Sequence, residues 1–307
     1  MNMNLLGRLK NAYDGGGLRE IARKSFCHMV YRVNNYKTKF LVDRAKPEYG
    51  LNTTEKRETK IIVSLTSFPL RFSKIHICLK SLLLQKVKPD RIIVYLGSDS
   101  SRDQFTKEML DLEQYGVEYR IDSERNLKAH KKYFYAMQEF PNDAIVTADD
   151  DLYYPSNWLS SLIKTYKKYP NAISARRVHL MRQKDGSLLP YNMWKDQCRS
   201  VLEPSFSLLA TGGSGKLYPP HCLNECAFDG TRFKELCFDA DDVWLKCMEV
   251  VSGIPVVWAK NWEVDQLGVG SNEKGALSKQ NVDCSHNDVC LKNVVNFYNI
   301  PTSRFFE

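Results

Sequence analysis

The stretch Ala144-Ile145-Val146-Thr147-Ala148-Asp149-Asp150-Asp151 decides how the chain is read. Its first five residues form a short apolar run rich in β-branched side chains, the pattern of a buried strand. Three consecutive carboxylates follow at the exit. Side by side they repel one another, and they cannot all stay ionised without compensation. A divalent cation is the usual compensation, and a cation held by carboxylates is suited to gripping phosphate oxygens. The alternative is a solvated acidic turn that leads into the next helix at Pro155.

Outward from this strand the same kind of run recurs. Residues 61–66, 91–96, 117–121 and 172–176 read as strands, and helical patterns at about 73–85, 105–115, 131–140 and 158–169 alternate with them. Such alternation implies a mainly parallel sheet with helices on both faces. Ligands of these sheets sit at the carboxyl ends of the strands. The carboxylate triplet lies at one such end, and Thr66, Ser67 and Arg71 lie at another. No GxxxxGK[ST] loop is present, and no GxGxxG follows the first strand, which argues against a P-loop nucleoside triphosphatase and a common dinucleotide site. An aspartyl phosphatase would place its acidic motif after the first strand, not the fourth.

The 307 residues are 43% hydrophobic, with 16 Tyr and 14 Phe, an ordinary globular composition. The net charge of +8 is unevenly spread: residues 1–60 hold 13 Lys and Arg against 6 Asp and Glu, so the rest is nearly neutral. A neutral body offers no track for nucleic acid, and none is expected as a partner. No run reaches the roughly 18 apolar residues of a membrane span. Arg8, Lys10 and Asp14 interrupt any signal-peptide core. Nine cysteines at irregular spacings suit a reducing compartment, and Cys222, Cys226 and Cys237 lack the paired spacing of a zinc site. The expected location is cytoplasmic. Residues 1–59 form a basic, mainly helical arm, with helical stretches at 18–33 and 36–45 parted by Asn34-Asn35. Its mixture of Phe26, Met29 and Val30 with Arg19, Arg23 and Arg32 suits an arm packed on the main domain. It equally suits a helix lying on the inner face of an anionic membrane.

Several motifs in order carry a resemblance. Thr147-Ala148-Asp149-Asp150-Asp151, followed by Tyr153-Tyr154-Pro155 and an aromatic-rich helix, resembles the DxD region of GT-A-fold glycosyltransferases. The type is family 2-like, as in bacterial polysaccharide and lipopolysaccharide synthesis. Ser64-Leu65-Thr66-Ser67 is similar to the segment that lines the nucleotide base in that superfamily. Arg125-Asn126-Leu127 with Lys131-Lys132 resembles the approach to the diphosphate. Gly212-Gly213-Ser214-Gly215 before Leu217-Tyr218 resembles an acceptor-side loop, and Asp241-Asp242-Val243-Trp244 the acidic pair that opens a later helix.

The resemblance implies an α/β, Rossmann-like, mostly parallel sheet over 60–307, with a donor-binding half at about 60–180 and an acceptor half at about 181–307. It implies Mn2+ or Mg2+ as cofactor and a nucleotide-sugar donor, a UDP-sugar being favoured. The sugar would pass to a saccharide or lipid-linked saccharide. Asp151 would hold the metal, with Asp149 and the late His286 as further ligands. Asp149 would also face the ribose, Asp150 would support either neighbour, and Thr66, Ser67, Arg71, Asn126, Lys131 and Lys132 would contact the donor. Gly213, Ser214 and Trp244 would meet the acceptor, with Trp194 and Trp262 as further stacking platforms. Asp242, or Asp241 beside it, would be the general base. On the residues alone, these acids equally suit the cap and dipole of the helix they precede, and Lys131 and Lys132 equally suit a solvated helix start. Arg71 equally suits a cap of its turn, His286 suits a surface position, and burial is the default for the tryptophans. Two rivals remain. A sugar-phosphate nucleotidyltransferase would want a Gly-rich loop where Ser67-Phe68-Pro69 stands, and a non-catalytic binding module would not need two separate acidic clusters.

Overall fold

The computed structural model describes residues 17–261, 266–270 and 285–307; Trp262 lies outside them. Helix α1 runs unbroken over Gly17–Arg44. Asn34-Asn35 does not part it, because Asn35 is buried with Thr38 and Val42 on the docked side, and packing overrides weak helix propensity. Strand β1 (Ile61–Thr66) is followed by a 3-10 turn at Pro69–Arg71 and helix α2 (Phe72–Leu83). Next come β2 (Arg91–Leu96), α3 (Lys107–Asp111) and β3 (Val117–Ile121). The helix expected over 105–115 is cut short: Thr106 caps α3, and the chain tightens into a 3-10 turn at Glu113–Tyr115 before Gly116. Helix α4 (Lys131–Glu139), β4 (Ala144–Ala148), β5 (Leu152–Tyr153), α5 (Trp158–Lys168) and β6 (Ile173–Ala175) complete this half.

The second half is built of shorter pieces: β7 (Val178–Leu180), β8 (Gln183–Lys184), β9 (Ser187–Leu188), β10 (Leu208–Ala210) and β11 (Lys216–Tyr218). Helices α6 (Gly230–Leu236) and α7 (Asp241–Val251), strands β12 (Val256–Trp258) and β13 (Leu267–Gly268), and helix α8 (His286–Phe297) follow.

Seven strands form one sheet in the order β12-β6-β11-β4-β1-β2-β3. All neighbours are parallel except β11, which runs antiparallel to both β4 and β6. The mostly parallel, helix-flanked α/β architecture expected from the alternation is therefore present. The two faces of β1 separate with the period of two that a pleated strand imposes. Ile61, Val63 and Leu65 belong to the core with α2, α3 and α5, whereas Ile62 belongs to the one with Ala136 of α4. Each fully buried aliphatic side chain contributes about 1.5–3 kcal/mol, so the central strands anchor the sheet firmly.

The antiparallel strand depends on one glycine. Gly215 has φ +95°, and a Cβ there would meet Trp158 Nε1 at 2.5 Å. Trp158 occupies that space and donates from Nε1 to the Ser214 carbonyl at 2.8 Å. With no side chain at 215, the chain reverses into β11 and sets Lys216 opposite Thr147 in register. A lysine is thereby planted in the sheet, two residues from Asp149.

Candidate active site

A cleft of about 950 Å3 opens at the carboxyl ends of β1 and β4, walled on the far side by the start of α7 and the segment from Arg177 to Gln197. Thr66, Ser67, Arg71, Asn126, Lys131, Lys132, Asp149, Asp150, Asp151, Gly213, Asp241 and Asp242 all line it. Residues named from places nearly 180 positions apart thus share one cavity.

The three carboxylates divide their surroundings. Asp150 is buried and accepts hydrogen bonds from Ser67 Oγ at 2.5 Å and from Arg71. Burial raises its pKa, and Arg71 and Ser67 only partly oppose that. Arg71 also reaches Asp151 Oδ2 at 3.0 Å, so it binds the triplet to the turn after β1 instead of capping that turn. Asp151 keeps the most open side chain, 41% exposed. Asp149 accepts from Lys132 Nζ at 2.9 Å, and the Tyr154 hydroxyl takes its backbone N–H at 2.8 Å. The solvated-turn alternative does not describe this arrangement.

Lys131 and Lys132 are not a solvated helix start, since both are buried. Lys131 donates to Asn126 Oδ1 at 2.9 Å; burial lowers its pKa, with Asp99 and Asp150 opposing. Lys132 bridges Asp149 and Asp241, the latter at 3.0 Å. Burial works against its charge, but Asp149, Asp241 and Asp242 outweigh that and hold its pKa well above the ordinary lysine value. Lys132 is the tie between the triplet and the second acidic pair.

Asp241 and Asp242 open α7, yet neither caps it: the N-cap position is Ala240, without a side-chain bond. Asp242 instead accepts from Lys216 Nζ at 2.6 Å and from the Gly212 N–H at 2.9 Å. Burial pushes its pKa up, but Lys216 and Lys132 prevail and hold it at about 2. Gly212 leaves room for this approach: a Cβ there would lie 3.1 Å from both Asp242 Oδ1 and Lys132 Nζ, a tight contact. About a third of the Asp242 side chain remains open to the cleft.

Beneath Lys216, α7 buries Lys246 and Glu249 with their charged ends 3.7 Å apart. Burial pushes the Glu249 carboxyl up to about 7, with Lys246 and Lys216 opposing. A carboxyl whose pKa rises on folding favours the protonated form in the native state. Stability should therefore fall as pH rises from about 4.5, the unfolded value, through about 7. We expect Glu249→Gln to flatten this dependence, as read from denaturation midpoints between pH 4.5 and 8; an unchanged slope would place its origin elsewhere.

Three expected residues lie elsewhere. Trp244 is fully buried in the core of the second half, and its Nε1 donates to the Ala227 carbonyl at 3.1 Å, so it does not line the cleft. Ser214 is buried and also falls outside the lining. His286, in the first turn of α8, faces Cys290 Sγ at 3.4 Å, and its neighbour Asn287 reaches the cleft instead. Trp194 does line the cleft, together with Tyr191, Arg177 and His179, which the sequence reading did not single out. An isolated lysine in the Gly215-Lys216-Leu217-Tyr218 run was a readable sign of Lys216; His179 and Tyr191 carried none.

No group of three His, Cys, Asp or Glu side chains that could hold a metal gathers among the described residues. His286 therefore does not complete a cage with Asp149 and Asp151. The residues still fit a magnesium-like ion of the kind that uses one or two carboxylates and takes its other ligands from water and substrate phosphate. Asp151, the open carboxylate, and Asp149 are the side chains that would hold it.

A sequence model of glycosyl transferase family 2 matches residues 70–205, a region that contains Arg71 and the whole triplet. Over that region, less than half of its length, the chain is similar to glycosyl transferase family 2. No curated protein matches the sequence. Among solved structures, one similar chain is a mannosyltransferase from Pyrobaculum calidifontis in complex with GDP-mannose and Mn2+. It is 11% identical, with 90% of this chain and 84% of that one covered, at a TM-score of 0.43. Two others are CMP:2-keto-3-deoxy-manno-octonic acid synthetase with CTP and apo UDP-glucose pyrophosphorylase. Each is 8% identical: the first covers 65% of this chain and 89% of its own at a TM-score of 0.38, the second 78% and 98% at 0.37.

Proposed function

We propose that the protein transfers a sugar from a nucleotide-sugar donor to a hydroxyl of a saccharide or lipid-linked saccharide. The observation that carries this reading is the convergence, in one cleft, of the triplet after β4 and the Asp241-Asp242 pair that opens α7, tied by Lys132 between Asp149 and Asp241. A glycosyl donor needs two things: its diphosphate must leave, and an acceptor hydroxyl must lose a proton. The triplet side, with Arg71, Lys131 and Asn126, would bind the diphosphate end, and Lys132 would add positive charge where the leaving group develops its own. A divalent cation, Mn2+ or Mg2+, on Asp151 and Asp149 would supply Lewis-acid stabilisation of that diphosphate.

Asp242 would take the acceptor proton. A pKa near 2 keeps it fully ionised at neutral pH, so it is always ready to accept. It is also a weak base, which suits late transfer: the hydroxyl becomes acidic as its oxygen bonds to the anomeric carbon. Tyr191, with the buried Trp194 packed against its ring at 4.9 Å, would present ring surface to an acceptor sugar on that side. A nucleotidyltransferase is less favoured, because the turn after β1 presents Pro69–Arg71 and commits Arg71 to the triplet, where a Gly-rich phosphate loop would be needed.

Residues 1–59 would then be an accessory arm and 60–307 the transferase domain, working at the cytoplasmic face of an anionic membrane. No described helix is long and apolar enough to cross a membrane. The function is tested by a thermal-shift screen of nucleoside diphosphates with and without Mn2+, UDP first. A shift with at least one diphosphate that requires the metal is expected; none with any of them would overturn the reading.

A further inference from the structure

Helix α1 wears its apolar side outward. Its docked face, which meets α2, β5 and β13, carries the buried Asn35, Thr38 and Val42. On the opposite side Met29, Val33, Tyr36 and Phe40 follow one another at spacings of four, three and four residues, and each is 52–61% exposed. That spacing makes one continuous stripe along the helix. Cores bury such stripes, so this one is addressed to something beyond the domain.

The residues beside the stripe say what that is. Arg32 and Lys39 flank it on one side, Lys37 and Arg44 on the other, and Arg44 stacks over the Phe40 ring at 4.0 Å. Only Asp43, paired with Lys39 at 2.5 Å, offsets them. A second copy of the helix set against this seam, parallel or antiparallel, would bring these basic positions together. Like charges at such flanking positions oppose pairing. An anionic lipid surface has the complementary charge and also accepts the apolar stripe, with Tyr36 suited to the headgroup level.

We propose that the outer face of α1 docks on an anionic phospholipid bilayer, a surface that rests on and deepens the membrane location given above. The docked face links the surface to the site. Lys39 Nζ lies 3.3 Å from the Tyr153 hydroxyl, which donates to Asp43 Oδ1 at 3.0 Å. Tyr153 belongs to β5, two residues after Asp151, and the Asp151 carbonyl accepts the Val269 N–H at 2.7 Å beside that strand. The helix that meets the lipid is thus seated on the segment that carries the donor carboxylates, and docking presents the cleft to acceptors held in the same bilayer.

The test is flotation of the full chain with phosphatidylglycerol–phosphatidylcholine vesicles and with phosphatidylcholine alone, with diphosphate binding measured on the same samples. The chain should float with the anionic vesicles only. Met29→Ser/Val33→Ser and, separately, Arg32→Gln/Lys37→Gln/Arg44→Gln should each reduce flotation at least about tenfold, with melting temperature and diphosphate binding unchanged. Equal flotation with neutral vesicles, no flotation, or a light-scattering dimer that the apolar variant splits would overturn the proposal. Loss of flotation with diphosphate binding intact touches docking alone, whereas flotation without diphosphate binding touches the transferase reading alone.

Discussion

Asp242→Asn is expected to slow sugar transfer by about a thousandfold while nucleoside diphosphate binding stays within a few-fold of the native protein. Asn keeps the size of the side chain and one oxygen to accept from Lys216, at the cost of the bond from the Gly212 N–H, which Asp242 accepts on its other oxygen. It removes the basicity that the proposed proton transfer from the acceptor hydroxyl requires. Steady-state transfer and separate donor-binding measurements check the two halves of the claim. Because Asp242 is held ionised down to about pH 2, native transfer should show no acidic limb from this group between pH 5 and 8. Retained transfer in the variant would move the base elsewhere, with Asp241 the next carboxylate in the cleft.

Lys132→Met should produce the largest loss of stability. The ammonium is buried and lies 2.9 Å from Asp149 and 3.0 Å from Asp241. Removing one member of a buried ion pair typically costs about 3–5 kcal/mol, because the partners stay behind uncompensated. In a chain of this size that corresponds to a fall in melting temperature of about 5–8 °C. The pH dependence has a definite sign. Lys132 has a folded pKa raised above the ordinary 10.5, so its stabilisation is fully present below that value and is lost only as pH rises through the folded one. The Lys132 ammonium therefore stays charged across pH 6–9, where melting curves of the two proteins should remain well apart; coincident curves would show that the bridge contributes nothing.

Much of this arrangement could be read from residue order. The runs at 61–66, 91–96 and 144–148 are apolar and β-branched enough to be strands in almost any context, and they became β1, β2 and β4. Acids at strand exits and helix starts gather at one edge of such a sheet, so Asp149–Asp151 and Asp241–Asp242 could be paired across 90 residues. The rest depended on tertiary contacts. Strand β11 is three residues long, and its place between β4 and β6 follows from a glycine whose missing side chain admits Trp158. Lys216 could not be joined to Asp242 without that strand. Trp244 follows Val243 on a helix whose residues Val243–Val250 are all buried, and there an aromatic ring fills core more readily than it meets sugar. His286 missed the cleft by a single helical step, which turns a side chain by about 100° and gave the place to Asn287.

The central claim is that Asp151 holds the metal-bridged diphosphate of a donor. It is tested most directly by calorimetric titration of a nucleoside diphosphate that passed the thermal-shift screen, with and without Mn2+, into the native protein and into Asp151→Asn. The account predicts metal-dependent binding to the native protein and its loss in the variant, with the melting temperature of the variant little changed. Undiminished metal-dependent binding in Asp151→Asn would contradict it.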